Sequence, residues 1–504
     1  MLKTIIVTPS VPDYIVHPFP ILGPAILKTF LDSRGYTIDL VDLAVRVRYL
    51  NRFPLRKIFN LEIFQNRERI INFLENGKDS CIENEIEKLI RLGNLEYYDV
   101  VGFSLSDEAN ITVSLCIAKV LKEKYDTKIV FGGPIISRSD YTALLYFDFL
   151  DFLIAGDGEE PFLRILQYFD TGVIENFEGI LYRKNGKLHV AKPSVFPIED
   201  KPIPTFNVDD LFFFKKLSMV GLSVIPYLLT RGCRFKCVFC AEYRDVSFEY
   251  TPLEKVISDI KFLLKNYSVD SICFAEANVC NDPLYIKKLS ERIIEEGLNF
   301  SWGGMSTLPG LDENIIEVMA KAGCKYIICG VENVSEHTAN SMNMRKVGNL
   351  REFKETLKLL HKHGIKVHNF YIVEFPYETL EDFKQNVDFI KENAKYITSA
   401  EVTRFALLEN SPLFLSPHTF KITIRNRRNK KYGFFDRDWE FDEINGLKWE
   451  QKYKKSELKV RLLNRVIYKQ IFFKSLFKSI FKHPLYIAKK KVLYRYITFD
   501  EYFL

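Results

Sequence analysis

The sequence lacks the features that direct a chain into or across a membrane. Its first residues, Met1–Val7, resemble the opening of a strand, without the apolar core and small-residue cleavage site of a signal peptide. No apolar run approaches the roughly 20 residues that a membrane-spanning helix needs. A hydrophobic content of 47% with 27% charged residues is typical of a globular protein and excludes a disordered or fibrous one. We therefore expect a soluble protein.

The sequence also has too little cysteine for a disulfide framework. Its nine cysteines are odd in number among 504 residues, and most of them lie in apolar runs. Three of them are grouped after the apolar run 224–229: Cys233, Cys237 and Cys240 occupy positions i, i+4 and i+7. Thiolates are soft ligands, so three together suit an iron-sulfur cluster or, with a fourth ligand, zinc. Because no further cysteine or histidine follows within the next thirty residues, the spacing favours the cluster.

This Cys-x3-Cys-x2-Cys pattern, with Phe239 directly before the last cysteine, resembles the signature of the radical S-adenosylmethionine (SAM) enzymes. The resemblance implies that the three thiols hold a [4Fe-4S] cluster whose open iron binds SAM. An external one-electron reductant would then drive cleavage of SAM to a 5'-deoxyadenosyl radical. Such a cluster needs a reducing compartment, so we expect the protein in the cytoplasm. The alternative, from another class, is a non-enzymatic iron-sulfur or zinc-binding protein.

Residues 1–170 alternate short strands with helical patterns, which predicts an α/β domain with a doubly wound, parallel, Rossmann-like sheet. Ligands of such sheets lie beyond the carboxyl ends of the strands. Small and polar residues fall at those ends, and the candidates for ligand binding are Ser104, Ser106, Gly132, Gly133, Gly156, Gly158 and Glu159. Their alternative role is to form the tight turns that any such sheet uses.

A sheet of this type placed directly before the three-cysteine loop resembles the cobalamin-binding domain of cobalamin-dependent radical SAM enzymes. The resemblance implies that the candidates above contact cobalamin. The Asp-x-His-x-x-Gly motif of other cobalamin proteins is absent, and the only histidine of residues 1–170 is His17. This agrees with the subclass, whose members generally lack a histidine ligand, and leaves open a degenerate domain without cobalamin.

Residues 171–222 are interpreted as a connecting stretch. It contains a hairpin at 180–190, joined by Asn185 and Gly186, followed by a proline-punctuated linker. Residues 223–417 then repeat strand and helix six times, which predicts a partial (β/α)6 barrel, of the TIM type, with its site at the carboxyl ends of the strands. Thr251 to Glu254 read as a capping box at the start of the first barrel helix.

Several strand ends of this predicted barrel match the radical SAM pattern. The resemblance implies that Glu276 and Asn278 engage the amino end of SAM, and that Glu332, followed by Asn333 where the family has serine, binds its ribose. Lys346 matches a recurrent lysine of the family. The alternatives are a solvated acid for Glu276 and a surface cation for Lys346.

Two further positions in the barrel have chemistry of their own. The segment 374–379 resembles the family's Gly-x-Pro-x-Glu-Thr segment, with Glu374 in place of the glycine. His368 alternates with apolar residues on the preceding strand, and we expect a core histidine rather than a catalytic one.

The last region, 418–504, is predicted to be mostly helical and is strongly basic. Between 451 and 495 there are fourteen lysines or arginines and one acid, Glu457. The stretch 471–482 places phenylalanines and lysines on adjacent helical rows, which is typical of a basic amphipathic helix. Such a helix can lie on an anionic membrane or hold a lipid-linked substrate, or it can pack on the barrel with its lysines in water. No reader motif accompanies the charge, so nucleic acid is not expected as a partner.

The resemblance implies a cobalamin-dependent radical SAM enzyme that methylates an unactivated carbon of a small-molecule, peptide or lipid-linked substrate. The alternative within the same class is radical rearrangement, cyclisation or oxidation without methyl transfer. No residue is assigned as catalytic from the sequence.

Overall fold

The structure is a computed structural model that describes residues 2–10, 18–52, 58–138, 142–173, 177–218, 221–241, 248–344, 349–425, 432–433 and 439–472. The chain forms two compact units. Unit 1 comprises Met1–Ser223 and Arg428–Arg437, and unit 2 comprises Val224–Arg427 and Asp438–Leu504.

Unit 1 is built on a seven-stranded sheet. Its strands are β1 (Thr4–Thr8), β2 (Ile38–Asp42), β3 (Val100–Ser104), β4 (Lys128–Gly132), β5 (Phe152–Ile154), β6 (Ile180–Lys184) and β7 (Lys187–His189). Their order across the sheet is β2-β1-β3-β4-β5-β6-β7. The first five strands are parallel, and the hairpin β6–β7 adds two antiparallel strands next to β5. Asn185 and Gly186 both have positive φ, 51° and 76°, as the tight turn of this hairpin requires.

Helices cover both faces of this sheet. They are α1 (Leu22–Asp32), α2 (Leu43–Leu50), α3 (Arg67–Asn76), α4 (Ser80–Gly93), α5 (Glu108–Tyr125), α6 (Pro134–Arg138), α7 (Glu159–Thr171) and α8 (Val208–Leu217). Alternate residues of the strands enter two separate apolar cores: Val101 and Phe103 lie in one, and Val100 lies in the other. Because both faces are covered, β1 and β3 in the middle of the parallel part are buried along their whole length, and the predicted doubly wound sheet is confirmed.

Unit 1 is not continuous in sequence. Tyr432, far along the chain, is buried in the larger of the two cores and lies edge-on to Phe147, with ring centroids 6.1 Å apart. Its hydroxyl donates to Glu75 Oε1 at 2.6 Å. A short segment beyond the barrel strands therefore completes the packing of unit 1.

Unit 2 contains a six-stranded, wholly parallel sheet and two antiparallel pairs of short strands. Its strands are β8 (Val224–Tyr227), β9 (Thr230–Arg231), β10 (Glu249–Tyr250), β11 (Ser271–Phe274), β12 (Ser301–Ser306), β13 (Cys324–Glu332), β14 (Lys366–Val373), β15 (Ser399–Arg404), β16 (Ile422–Ile424) and β17 (Phe441–Glu443). The antiparallel pairs are β9 with β10 and β16 with β17. The order in the large sheet is β15-β14-β13-β12-β11-β8, so every strand pairs with its neighbour in the barrel sequence. Gly303 permits this pairing, since a Cβ there would collide with the Tyr326 carbonyl and ring.

The helices of unit 2 follow the strands in alternation. They are α9 (Leu253–Asn266), α10 (Pro283–Glu295), α11 (Glu313–Lys321), α12 (Glu336–Ser341), α13 (Leu350–Lys362), α14 (Leu380–Asn393), α15 (Pro412–Leu415) and α16 (Trp449–Ile467). This confirms the predicted partial barrel and a helical part in the basic C-terminal region. Across the described residues, no helix combines the length and the apolar character that crossing a bilayer demands.

Two predictions from the sequence concern the start of helix α9 and the C-terminal region. The predicted capping box at Thr251 is wrong: helix α9 has no side-chain cap, because the Thr251 hydroxyl donates to the Leu228 carbonyl at 3.0 Å instead. The predicted amphipathic stretch within 471–482 lies almost wholly outside the described residues.

Candidate functional site

The cysteine loop starts directly beyond β8, at the carboxyl edge of the parallel sheet. Strands β9 and β10 pair at its base, Thr230 with Tyr250 and Arg231 with Glu249. The Arg231 guanidinium also lies 2.8 Å from the Glu249 carboxylate, and both side chains are largely shielded from solvent. The loop that carries the three cysteines is therefore closed at its base by a short antiparallel pair of strands.

Contacts with two other segments of unit 2, one at 342–343 and one at Leu413, hold the backbone of this loop. Val238 donates its N–H to the Met342 carbonyl at 3.0 Å and accepts from the Leu413 N–H at 3.0 Å. The Asn343 amide donates to the Lys236 carbonyl at 2.8 Å. These bonds lie on both sides of Cys237, so tertiary contacts hold the backbone at this residue.

The three cysteines differ in exposure. Cys237 is buried, whereas Cys233 and Cys240 are partly exposed, and none of the three is in a disulfide. Cys240 donates its N–H to the Cys237 carbonyl at 3.2 Å, which forms a tight turn around the half-buried Phe239. Across the described ranges, no three His, Cys, Asp or Glu side chains are arranged as a ligand set for a metal ion. Convergence of the three sulfurs on one metal centre therefore stays a prediction, carried by the donor chemistry of the loop.

Other cysteines of the chain are poor candidates for metal ligands. Burial raises the pKa of the Cys273 and Cys280 thiols to about 12 and that of the Cys116 thiol further. A thiol must lose its proton to bind a metal, so these buried thiols are suited to packing. The loop cysteines are the ones placed for chemistry.

Glu276 lies just beyond β11, on the same edge, and is 5% exposed. Its Oε2 accepts a long hydrogen bond of 3.5 Å from the Leu229 N–H, and its Oε1 has no hydrogen-bond partner among the described residues. Burial raises the pKa of this carboxyl to about 8, against the effect of backbone N–H donors. A buried acid with an unpaired oxygen is suited to receive a cationic or hydrogen-bond-donating group of a ligand.

Asn278 uses its side-chain amide within the protein. Its Oδ1 accepts from the Thr307 N–H at 2.9 Å, and its Nδ2 donates to Thr307 Oγ1 at 3.0 Å and to Asn281 Oδ1 at 3.2 Å. The same Asn281 oxygen accepts from the Arg234 N–H, at 3.2 Å, in the cysteine loop. Asn278 thus ties the loops after β11 and β12 to the cysteine loop, and its predicted contact with a cofactor stays a prediction.

Glu332 ends β13 in the left-handed backbone region, with φ of 55°, and is 8% exposed. The neighbouring Asn333 is fully buried and accepts from the Ser335 N–H at 2.9 Å. This places Glu332 at the predicted edge, whereas Lys346 lies outside the described residues. His368 is buried, with Nδ1 2.9 Å from Ser399 Oγ, and burial lowers its pKa to about 4, as fits a neutral core histidine.

In unit 1, the residues predicted at the ends of β3 and β4 lie at one edge of the sheet. Ser106 directs its N–H and hydroxyl to Asn110 Oδ1, at 3.2 and 3.1 Å, and Ser104 is buried at the end of β3. Gly132 accepts from the Leu105 N–H at 2.8 Å. Gly133 has φ of 103°, and a Cβ there would come within 2.5 Å of the Leu105 carbonyl oxygen.

The turn after β5 is likewise engaged within the protein. Gly156 has φ of 89°, and a Cβ there would collide with the Ser194 backbone, while Gly158 precedes α7. Glu159 is 3% exposed, and Lys201 Nζ lies 2.5 Å from its Oε1. Packing of the chain already accounts for the glycines at 133 and 156, so the predicted cobalamin contacts of this edge stay predictions.

The sequence alone does not identify the buried ion pairs beyond β14. Lys459 of α16 lies 2.6 Å from Glu374 Oε2 and 2.8 Å from Glu378 Oε1. A second lysine, Lys452, lies 2.5 Å from Glu443 Oε1. The one sequence signal for these ion pairs is the helical spacing of Lys452 and Lys459, which places both lysines on the buried side of α16.

Comparison with known proteins gives a match to one family model and a likeness of fold. Residues 227–390 match the model of the radical SAM superfamily. An uncharacterized methyltransferase of Pyrococcus horikoshii is 24% identical over 300 residues, which are 58% of this chain and 64% of the relative. The cytidylyl-2-hydroxyethylphosphonate methyltransferase of Streptomyces wedmorensis is 24% identical over 414 residues, which are 74% of this chain and 73% of the relative. The chain thus matches somewhat less than two thirds of the length of the first of these relatives.

Among solved structures, the radical SAM methyltransferase TsrM of Kitasatospora setae, with cobalamin and a [4Fe-4S] cluster bound, has a TM-score of 0.63 at 12% identity. The match covers 92% of this chain and 89% of TsrM. This likeness establishes the fold.

Proposed function

We propose that this chain, whose residues 227–390 match the radical SAM superfamily model, is a cobalamin-dependent radical SAM enzyme that methylates an unactivated carbon. The observation that carries the proposal is the loop of three thiols held at the carboxyl edge of the six-stranded sheet, within the matched residues 227–390. When bound, the cluster, SAM and cobalamin supply a radical that can remove hydrogen from carbon and a methyl group that can replace it.

In this proposal the residues of unit 2 seat the cluster and SAM. Cys233, Cys237 and Cys240 hold the cluster, and the backbone bonds of Val238 fix the loop. Glu276, with its unpaired buried oxygen, receives the amino group of SAM. The edge excludes water around Glu276, which strengthens every polar contact made there.

Unit 1 holds cobalamin at the carboxyl ends of its strands in the same proposal. The support is the doubly wound fold, its likeness to TsrM and the methyltransferase names of the two relatives. A second candidate, radical rearrangement, cyclisation or oxidation, is favoured by one observation. Ser106 and Glu159, predicted to contact cobalamin, are both engaged within the protein.

Partners and location complete the proposal. The enzyme takes a small-molecule, peptide or lipid-linked substrate and an external one-electron reductant, and it resides in the reducing cytoplasm. The outward side of α16 carries exposed Leu458 and Leu462 among the cations Lys454, Lys455 and Arg461. Such a face favours peripheral contact with an anionic membrane. Flotation with anionic and neutral vesicles tests this membrane contact. Failure to bind the anionic vesicles would show that this face of α16 is simply exposed to solvent.

The test of the main proposal is anaerobic reconstitution of the full chain, followed by iron, sulfide and cobalt analysis and a search for 5'-deoxyadenosine. We expect SAM cleavage and retained cobalamin. Cleavage without cobalamin would favour the second candidate, and zinc without cleavage would end both. Cys237→Ala should abolish cleavage and lower iron content because it removes one of three ligands, whereas Cys81→Ala, at an exposed cysteine outside the loop, should change neither.

A further inference from the structure

The loop beyond β14, residues 374–379, has an unusual backbone. Glu374 and Tyr377 both have φ of 63°, in the left-handed region where side chains other than glycine are uncommon. Such conformations persist only where surrounding contacts fix them. The loop follows a strand of the parallel sheet, so it lies at the same edge as the cysteine loop and Glu276.

Hydrogen bonds to buried acids hold this backbone. The N–H groups of Glu374 and Phe375 donate to Glu378 Oε2, at 2.7 and 3.4 Å. The Tyr377 N–H donates to Glu443 Oε1 at 2.8 Å. Carboxylates thus accept, in place of water, the hydrogen bonds of three backbone N–H groups of the loop.

Buried acids of this kind need a counter-charge, and α16 provides it. Glu374 is 2% exposed and Glu378 and Lys459 are each 6% exposed, so the three groups are shielded together. Burial opposes the charge of Lys459, but attraction by Glu378 and Glu374 and a hydrogen bond to Glu378 outweigh it, so its pKa lies above the usual value. Lys459 therefore remains charged between two acids.

Glu374, which stands where the Gly-x-Pro-x-Glu-Thr pattern has glycine, explains why Lys459 is needed. A glycine at 374 would adopt the positive φ without strain and would bring no charge. Glu374 instead adds a second buried carboxylate beside Glu378, and removal of one partner from a buried ion group is strongly destabilising. Glu374 and Lys459 thus act as one unit that replaces the glycine.

We propose that Lys459 is a positioning residue for SAM: through Glu374 and Glu378, it fixes the loop beyond β14 in the conformation that SAM binding requires. This inference rests on the proposed function. It assigns α16, which lies beyond the matched residues 227–390, to the support of the active site.

The test compares Lys459→Met with Lys454→Met, an exposed lysine of the same helix, in the reconstituted full chain. Hydrogen-deuterium exchange of peptides covering 374–379 reports the loop, and equilibrium dialysis reports the Kd for SAM. We expect Lys459→Met to speed exchange of the loop and to weaken SAM binding by about tenfold, at unchanged iron content. Lys454→Met should match the wild type in both.

The double variant Glu374→Gly with Lys459→Met keeps the test valid if Lys459→Met does not fold, because it removes one buried acid with the lysine. It should fall between wild type and Lys459→Met in both readouts, with SAM binding weakened by about threefold. A folded variant with the lysine removed that keeps wild-type loop protection, or wild-type SAM affinity, overturns the inference alone. Wild-type protein that binds no SAM overturns the proposed function together with it.

Discussion

The stability of unit 2 in the Glu276→Gln variant, measured relative to wild type, should rise with pH. Burial lifts the pKa of this carboxyl from an ordinary 4.5 to about 8. The folded-state pKa lies above the unfolded one, so the cost of the buried acid is absent below about pH 4.5 and grows with pH. It amounts to about 3 kcal/mol at pH 7 and about 5 kcal/mol above pH 8.

Glutamine cannot ionise, and it keeps an oxygen for the Leu229 N–H. If the new side-chain NH2 group finds no hydrogen-bond partner, the free energy of unfolding falls by about 1–3 kcal/mol. That loss does not depend on pH, so the diagnostic quantity is the change with pH. Between pH 5.5 and 8, the stability of Glu276→Gln relative to wild type should rise by about 3 kcal/mol.

The assay is urea unfolding of the SAM-free, cluster-loaded protein under anaerobic conditions, followed by tryptophan fluorescence. The three tryptophans, Trp302, Trp439 and Trp449, all belong to unit 2, so the signal reports the unit that contains Glu276. Glu381→Gln, at an exposed acid, is the control and should show no such pH dependence. A stability difference that stays constant with pH, or falls as pH rises, would refute the burial argument.

The remaining predictions concern packing and a core histidine. Gly156→Ala, which would collide with the Ser194 backbone at φ of 89°, should cost about 3 kcal/mol in urea unfolding followed by circular dichroism. Gly172→Ala, at φ of 74° in open space, should cost only about 1 kcal/mol, and equal losses would contradict the role assigned to packing. His368, whose pKa burial lowers from 6.5 to about 4, should make the wild type lose about 3 kcal/mol between pH 6.5 and 4. The variant His368→Asn should lack this loss in the same urea assay, and parallel pH curves would show that the imidazole is not buried in its neutral form.

The alternation of strand and helix predicted both sheets because each apolar run is short and is bounded by polar turns. The cysteine loop could be placed at the carboxyl edge for the same reason, since it directly follows a buried run at 224–227. These features depend on local sequence, which pattern analysis reads directly.

Contacts between distant residues could not be predicted in this way. Lys459 and Glu378 are 81 positions apart, and no local sequence pattern indicates that the two side chains form a pair. Asn278 is a similar case: nothing in the sequence around it indicates that its side-chain amide bonds to Thr307, 29 positions away. The prediction of a capping box at Thr251 was wrong because the Thr251 hydroxyl donates to the Leu228 carbonyl, at the base of the cysteine loop.

The burial of Tyr432 in unit 1 has a practical consequence for anyone who wishes to study that unit by itself. A fragment that stops at Ser223 would leave Glu75 without its phenol and open a gap beside Phe147. Because the polypeptide enters unit 1 twice, no single cleavage yields it whole. A tethered copy of 428–437 would have to be supplied for the excised piece to keep its native core.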